Sequence, residues 1–215
     1  DYICDSATFM DAVTPQYGFG NWTQKSGPST ADIISPILPN TEVKDLVPGE
    51  YEFYWTVTNG PACEAELDSV MILVATTPTA PDAGPDQELC FTTETTMAAN
   101  TLTTGTGTWS QKSGPNTANI VNENSPTTDI NQLVTGTYVF YWTAETDSCD
   151  NVDSVEVINH ELPTTSVAGI DTNICITSNL YLYANTPTVG EGLWTQVSGA
   201  AGAQFLDPAS PTTLV

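Results

Sequence analysis

The cysteines are the residues of this 215-residue chain with the most distinctive chemistry, and there are five: Cys4, Cys63, Cys90, Cys149 and Cys175. Cys4 and Cys63 are 59 residues apart, Cys90 and Cys149 are again 59 apart, and Cys175 follows Cys90 by 85. Recurrence of one spacing predicts one disulfide per unit, Cys4–Cys63 and Cys90–Cys149, tying a first strand to the end of an aromatic strand. Cys175 is then expected to be unpaired within this segment, with its partner beyond Val215. Closing a loop of that length contributes about 4 kcal/mol in the chain-entropy model. Disulfides persist in oxidising surroundings, which points outside the cytoplasm. Buried free thiols are the alternative. Zinc fits less well, because it needs closely spaced ligand pairs that isolated cysteines and a lone His160 do not offer.

Other reactive constellations are missing. With a single histidine, expected in a connector, no Ser-His-Asp arrangement can recur across units, and no catalytic or cofactor-binding residue stands out. Carboxylates are abundant, 26 Asp and Glu against 3 Lys and Arg, for a formal charge of −23. Such a chain cannot neutralise phosphates, which excludes nucleic acid, and it is repelled by anionic membrane surfaces. Its acidic face is suited to keeping sheet edges from associating. Calcium is the metal to weigh: Asp82 and Asp86 flank an Ala-Gly-Pro turn at a unit junction, and Asp68 and Asp153 recur before a last strand. The other reading of these aspartates is turn formation and surface charge. Asn21-Trp-Thr23 is a single glycosylation sequon.

The elements that position these residues repeat. GEYEFYWTV at 49–57 returns as GTYVFYWTA at 136–144, with Tyr51, Phe53 and Trp55 matched by Tyr138, Phe140 and Trp142. Period-two alternation of aromatic and β-branched residues predicts a half-buried strand. The turn before each copy places a Tyr where sandwich domains have a tyrosine corner, its hydroxyl bound to upstream backbone. Trp22-Thr-Gln-Lys-Ser-Gly-Pro28 recurs as Trp109-Ser-Gln-Lys-Ser-Gly-Pro115 and as Trp194-Thr-Gln-Val-Ser-Gly-Ala200. The third copy departs from the motif where Lys112 becomes Val197 and Pro115 becomes Ala200, a change expected to alter its loop but not its fold. Trp22, Trp109 and Trp194 are expected to begin a strand and to pack against the disulfide.

Fixed-period self-similarity of this kind marks an array. Seven short strands are expected in the second unit, near 86–92, 94–100, 106–112, 117–122, 127–133, 137–145 and 152–158. No helical periodicity competes with them. The fold class is therefore all-β: tandem immunoglobulin-like antiparallel sandwiches with a period of about 86 residues. The units are 1–78, lacking its N-terminal edge; 79–163, complete; and 164–215, truncated before its aromatic strand. Proline-containing connectors should hold neighbours in an extended relation. The longest apolar run, Val70 to Ala75, is too short to span a bilayer. The opening DYICDS has neither a basic nor an apolar signal region, so the export signal of a secreted parent is expected outside this segment.

The W(T/S)Q(K/V)SG(P/A) motif, the GxYxFYWT strand, the DSV that follows it and the DAGPDQ that opens a unit resemble PKD-like and REJ-like repeats of giant bacterial surface proteins. The paired-cysteine form is most similar to the SprB-type gliding-motility adhesins of the Bacteroidetes. The resemblance implies an extracellular filament on the cell surface, exported by type IX secretion, with no functional residue carried over. Its partners would be neighbouring repeats of the same chain, then surface polysaccharide or the motility machinery. Two other functions compete with a stalk: an accessory carbohydrate-binding or spacer module of a secreted polysaccharide-degrading enzyme, and a direct sugar- or calcium-dependent binding module. The second would need exposed aromatics that differ between units.

Overall fold

The computed structural model describes residues 2–175, 179–199 and 202–215; Ala200, where the third loop departs from the motif, lies outside them. Among the described residues every regular element is a strand. Unit 1 contains β1 (Tyr2–Ile3), β2 (Thr8–Phe9), β3 (Phe19–Ser26), β4 (Asp32–Ile33), β5 (Glu42–Lys44), β6 (Gly49–Thr58) and β7 (Glu66–Val74). Unit 2 contains β8 (Gln87–Cys90), β9 (Glu94–Thr96), β10 (Thr106–Ser113), β11 (Asn119–Ile120), β12 (Asp129–Asn131), β13 (Gly136–Glu145) and β14 (Asp150–His160). β15 (Tyr181–Tyr183) and β16 (Thr212–Leu214) pair in the third segment.

Units 1 and 2 are each a sandwich of a four-stranded and a three-stranded sheet. The larger sheets have the orders β1-β7-β6-β3 and β10-β13-β14-β8, the smaller ones β2-β5-β4 and β11-β12-β9. All pairings are antiparallel except the first strand of each unit, which runs parallel to the last. The seven strands expected in unit 2 are all present. β9 stops at Thr96, short of residue 100, but its extension still bonds to the neighbouring segment, Met97 N–H to the Thr128 carbonyl (2.8 Å) and Ala99 N–H to that of Pro126 (3.1 Å).

The aromatic strands are the axis of both cores. Along β13, Tyr138, Phe140, Trp142 and Ala144 are buried, while the alternate residues are more exposed. β6 does the same with Tyr51, Phe53 and Trp55. The tyrosine corner is formed in both units: Val47 N–H donates to the Tyr51 hydroxyl (2.9 Å), and Val134 N–H to that of Tyr138 (2.8 Å). Burying an aromatic face while satisfying its hydroxyl is what makes Tyr usable in these cores.

Two sequence expectations are corrected here. Trp22 and Trp109 lie inside β3 and β10 and pack on another tryptophan, Trp55 and Trp142, with centroids 5.0 and 5.1 Å apart; they do not pack against a disulfide. The pairings Cys4–Cys63 and Cys90–Cys149 are also not formed: the bridge joins Cys4 to Cys149, and Cys63, Cys90 and Cys175 are free and exposed. The reason is strand direction. Cys90 lies in register with His160 at the end of β14, whereas Cys149 immediately precedes Asp150 at its start. Ten residues of strand separate those points, about 33 Å at ~3.3 Å per residue. A disulfide tolerates Cα atoms only up to ~7 Å apart. In unit 1, Cys4 follows Ile3, which pairs with Val74 at the end of β7, and Cys63 precedes β7 at the opposite end.

Candidate functional site: the junction between units

The repeated motif residues have structural roles. Trp109 Nε1–H donates to the carbonyls of Ser125 (3.1 Å) and Pro126 (3.3 Å), and Trp22 Nε1–H to that of Pro39 (3.2 Å). The Gln two residues later clamps the loop that follows: Gln111 Oε1 accepts from Ala118 N–H (2.8 Å), and its amide donates to the Asn116 carbonyl (2.7 Å). Gln24 repeats this with Ala31 N–H (2.8 Å) and the Ser29 carbonyl (2.6 Å), and Gln196 accepts from Ala203 N–H (2.6 Å). Sequence reasoning missed the Gly two residues before each Trp. An added Cβ at Gly107 would lie 2.1 Å from Trp142 Cζ2, and one at Gly20 would lie 2.0 Å from Trp55 Cζ2. The G-x-W spacing, common to all three copies, was the available signal.

The aspartates considered for calcium hold backbone N–H groups. Asp153 accepts from Ala83 N–H (2.8 Å), Asp82 from Gly84 N–H (2.9 Å), Asp86 from Glu156 N–H (2.8 Å) and Asp68 from Ser69 N–H (2.9 Å). The Asp82–Asp86 connector is thereby stitched onto unit 2. Among the described residues, no three His, Cys, Asp or Glu side chains converge to hold a metal ion. His160 ends β14 rather than lying in a connector, 3.7 Å from the Glu88 carboxylate. Lys25 is held above the usual lysine pKa by hydrogen bonds, first to Tyr54 and then to Glu52. Asn21 of the sequon is exposed on β3.

A groove on unit 1 is lined by Trp22, Trp55, Tyr17 and Asp68. In unit 2, Asp153, which pairs with Trp142 as Asp68 pairs with Trp55, accepts from the N–H of Ala83, buried in the same core cluster as Trp109 and Trp142. The tryptophans of the groove are core residues of unit 1.

Covalent chemistry is concentrated at the junction of units 1 and 2. Cys149, buried on the β13–β14 turn at the leading end of unit 2, bonds Cys4 at the trailing end of unit 1, with Cα atoms 5.8 Å apart. Thr146 shapes that turn, its N–H donating to the Cys149 carbonyl (2.8 Å), and its hydroxyl lies 2.9 Å from the Thr76 carbonyl of the connector. Ala75 N–H donates to the Ile3 carbonyl (2.9 Å), which places the start of the connector beside Cys4. The extensive strand-to-strand contacts all fall within units. What joins the units is a connector, a turn and a disulfide.

The chain is similar to known proteins over part or most of its length. Residues 83–158, essentially unit 2, match the family model described as "K319L-like, PKD domain". The mouse (Mus musculus) dyslexia-associated protein KIAA0319-like protein is 26% identical over 182 residues, 79% of this chain. The chain spans only 17% of that relative's length. Among solved structures, the PKD domain from the KIAA 1837 protein is 28% identical, covering 43% of this chain and 92% of that one, with a TM-score of 0.35. Extracellular domains 3–5 of Drosophila OTK are 10% identical, covering 73% and 57%, with a TM-score of 0.44. Unit 2 is thus a PKD-like, immunoglobulin-like module within a tandem array of β-sandwiches.

Proposed function

We propose that this chain is a load-bearing stalk segment of a large extracellular surface adhesin, serving attachment or gliding, with no active site of its own. One observation carries the reading: the disulfide bonds unit to unit. A module that recognises a ligand or performs chemistry needs a preorganised pocket. A segment that transmits force needs its joints closed, and Cys4–Cys149 closes one. The bridge also favours an oxidising compartment. The repeated motif residues Trp109, Gln111 and Tyr138 act within the fold. Excess negative charge keeps parallel filaments apart.

Small-angle scattering tests the shape. β14, at 11 residues, spans about 36 Å, so a unit with its turns is roughly 40 Å long. Three such lengths in line, about 120 Å, give a radius of gyration of about 35 Å, whereas a compact globule of this size has about 17 Å. A value near the globule's would contradict the stalk. Antibodies raised against the chain should label intact cells of the source organism. Labelling only after permeabilisation would overturn the extracellular assignment.

A further inference from the structure

We infer that the exposed thiols of Cys63, Cys90 and Cys175 are the open rungs of a disulfide ladder, each bonding a cysteine on an adjoining repeat. The inference rests on reading the chain as a tandem structural array, and it adds the covalent pattern of that array. Cys90 lies 86 residues beyond Cys4 and Cys149 lies 86 beyond Cys63, so each is the other's counterpart one unit along. Strand register supports the equivalence: Ile3 pairs with Val74 and Leu89 with Asn159, immediately before Cys4 and Cys90 respectively. Gly49 pairs with Val74 as Gly136 pairs with Asn159, so the two sheets superpose in register.

The observed bridge therefore follows a rule: the first cysteine of one unit bonds the second cysteine of the next. Applied one unit on, the rule gives Cys90 a partner on the turn between the two longest strands of the following unit. Applied one unit back, it gives Cys63 a partner on the first strand of the preceding unit. Cys175, 85 residues after Cys90, is the first cysteine of its own unit and reaches forward in the same way. Cys63, Cys90 and Cys175 are all exposed, as a bond to a neighbouring unit requires. Each rung forms when two thiols lose two protons and two electrons to a disulfide-bearing oxidant, such as an oxidised dithiol oxidoreductase, which is reduced to two thiols.

The mechanical consequence depends on the shifted register. Within-unit bridges would shorten each unit separately and leave the connectors bearing tension alone. In the ladder, a pulled chain can pass from Cys4 directly to Cys149 and then follow only the 26 residues to Cys175 before the next rung. Those 26 residues, fully extended at ~3.5 Å each, span about 90 Å. Two folded units already span roughly 80 Å at ~3.3 Å per strand residue with turns. A ladder-bonded stalk thus lengthens by only about a tenth before covalent bonds carry the load, even if every sandwich unfolds.

The test lengthens the chain by one complete unit, with residues 1–162 followed by a second copy of 78–163. This protein has six cysteines. After oxidative folding, thiols are counted in denaturant without reductant. The ladder predicts two thiols, those of Cys63 and of the second copy's Cys90. Zero thiols would mean within-unit bridges, and four would mean that Cys90 stays free; either overturns the inference. A companion variant keeps only Cys90 and the second copy's Cys149, with the other four cysteines replaced by serine. Its monomer should lose 2 Da on oxidation, whereas retention of both thiols or a disulfide-linked dimer would refute the rung. Neither result depends on the scattering shape, so a stalk without a ladder would be recognised as such.

Discussion

Replacing Cys4 by serine removes the bridge at small local cost, because Cys4 is exposed. Its main effect should fall on unit 2. When unit 2 unfolds with the bridge intact and unit 1 folded, its chain is held at both ends. Ala75 leaves unit 1 beside Cys4, and Cys149 is bonded to Cys4, so 74 residues form a closed loop. In the chain-entropy model a loop of that length costs the unfolded state about 4 kcal/mol at 25 °C. A domain of this size shifts its Tm by roughly 4–8 °C per kcal/mol, so Cys4→Ser should lower the Tm of unit 2 by roughly 15–30 °C. The assay is differential scanning calorimetry of both proteins, without reductant and then with it. Reductant should bring the parent to the variant's profile and leave the variant unchanged. A Cys4→Ser shift below about 5 °C, or a variant that still responds to reductant, would refute the clamp.

Three further outcomes follow from the packing, the hydrogen bonds and the charge. Gly107→Ala drives a methyl group to within 2.1 Å of the Trp142 ring and should destabilise unit 2 by about 1–3 kcal/mol, whereas Gly192→Ala, with nothing within 4 Å, should be nearly neutral; chemical denaturation monitored by tryptophan fluorescence compares them. Tyr138→Phe leaves the N–H of Val134 without its acceptor in a half-buried corner and should cost about 1 kcal/mol in the same assay. With a net charge of −23, the Tm should rise between about 10 mM and 500 mM NaCl as self-repulsion is screened, and equal responses to Ca²⁺ and Mg²⁺ would exclude a specific calcium site at the junction aspartates.

Much of the fold was legible because local pattern and tertiary need coincide. Alternation along 136–144 marked β13, and the turn before Tyr138 marked the corner that its hydroxyl completes. The bridge was not legible, for a reason particular to repeats. In a periodic array the spacing of 59 recurs whether each bridge closes within its unit or, as Cys4–Cys149 does, across two units at a separation of 145. Only strand direction separates them, because Cys90 and Cys149 belong to opposite ends of β14. The hold of Asp153 on the backbone was not legible either, because sequence does not show an N–H converging from 70 residues away. The glycines of G-x-W were visible but uninterpretable until an indole was seen lying across them.

Single-molecule force spectroscopy, pulling the chain from its two ends, tests the load-bearing junction most directly. With the bridge intact, the residues between Cys4 and Cys149 are shielded, and both sandwiches add almost nothing to the released length. Reduction should free the 145-residue span, adding roughly 500 Å of contour at ~3.5 Å per residue. Full-length unfolding of both units before reduction, or a gain of only about 200 Å per unit as bridges within units would give, would contradict the account.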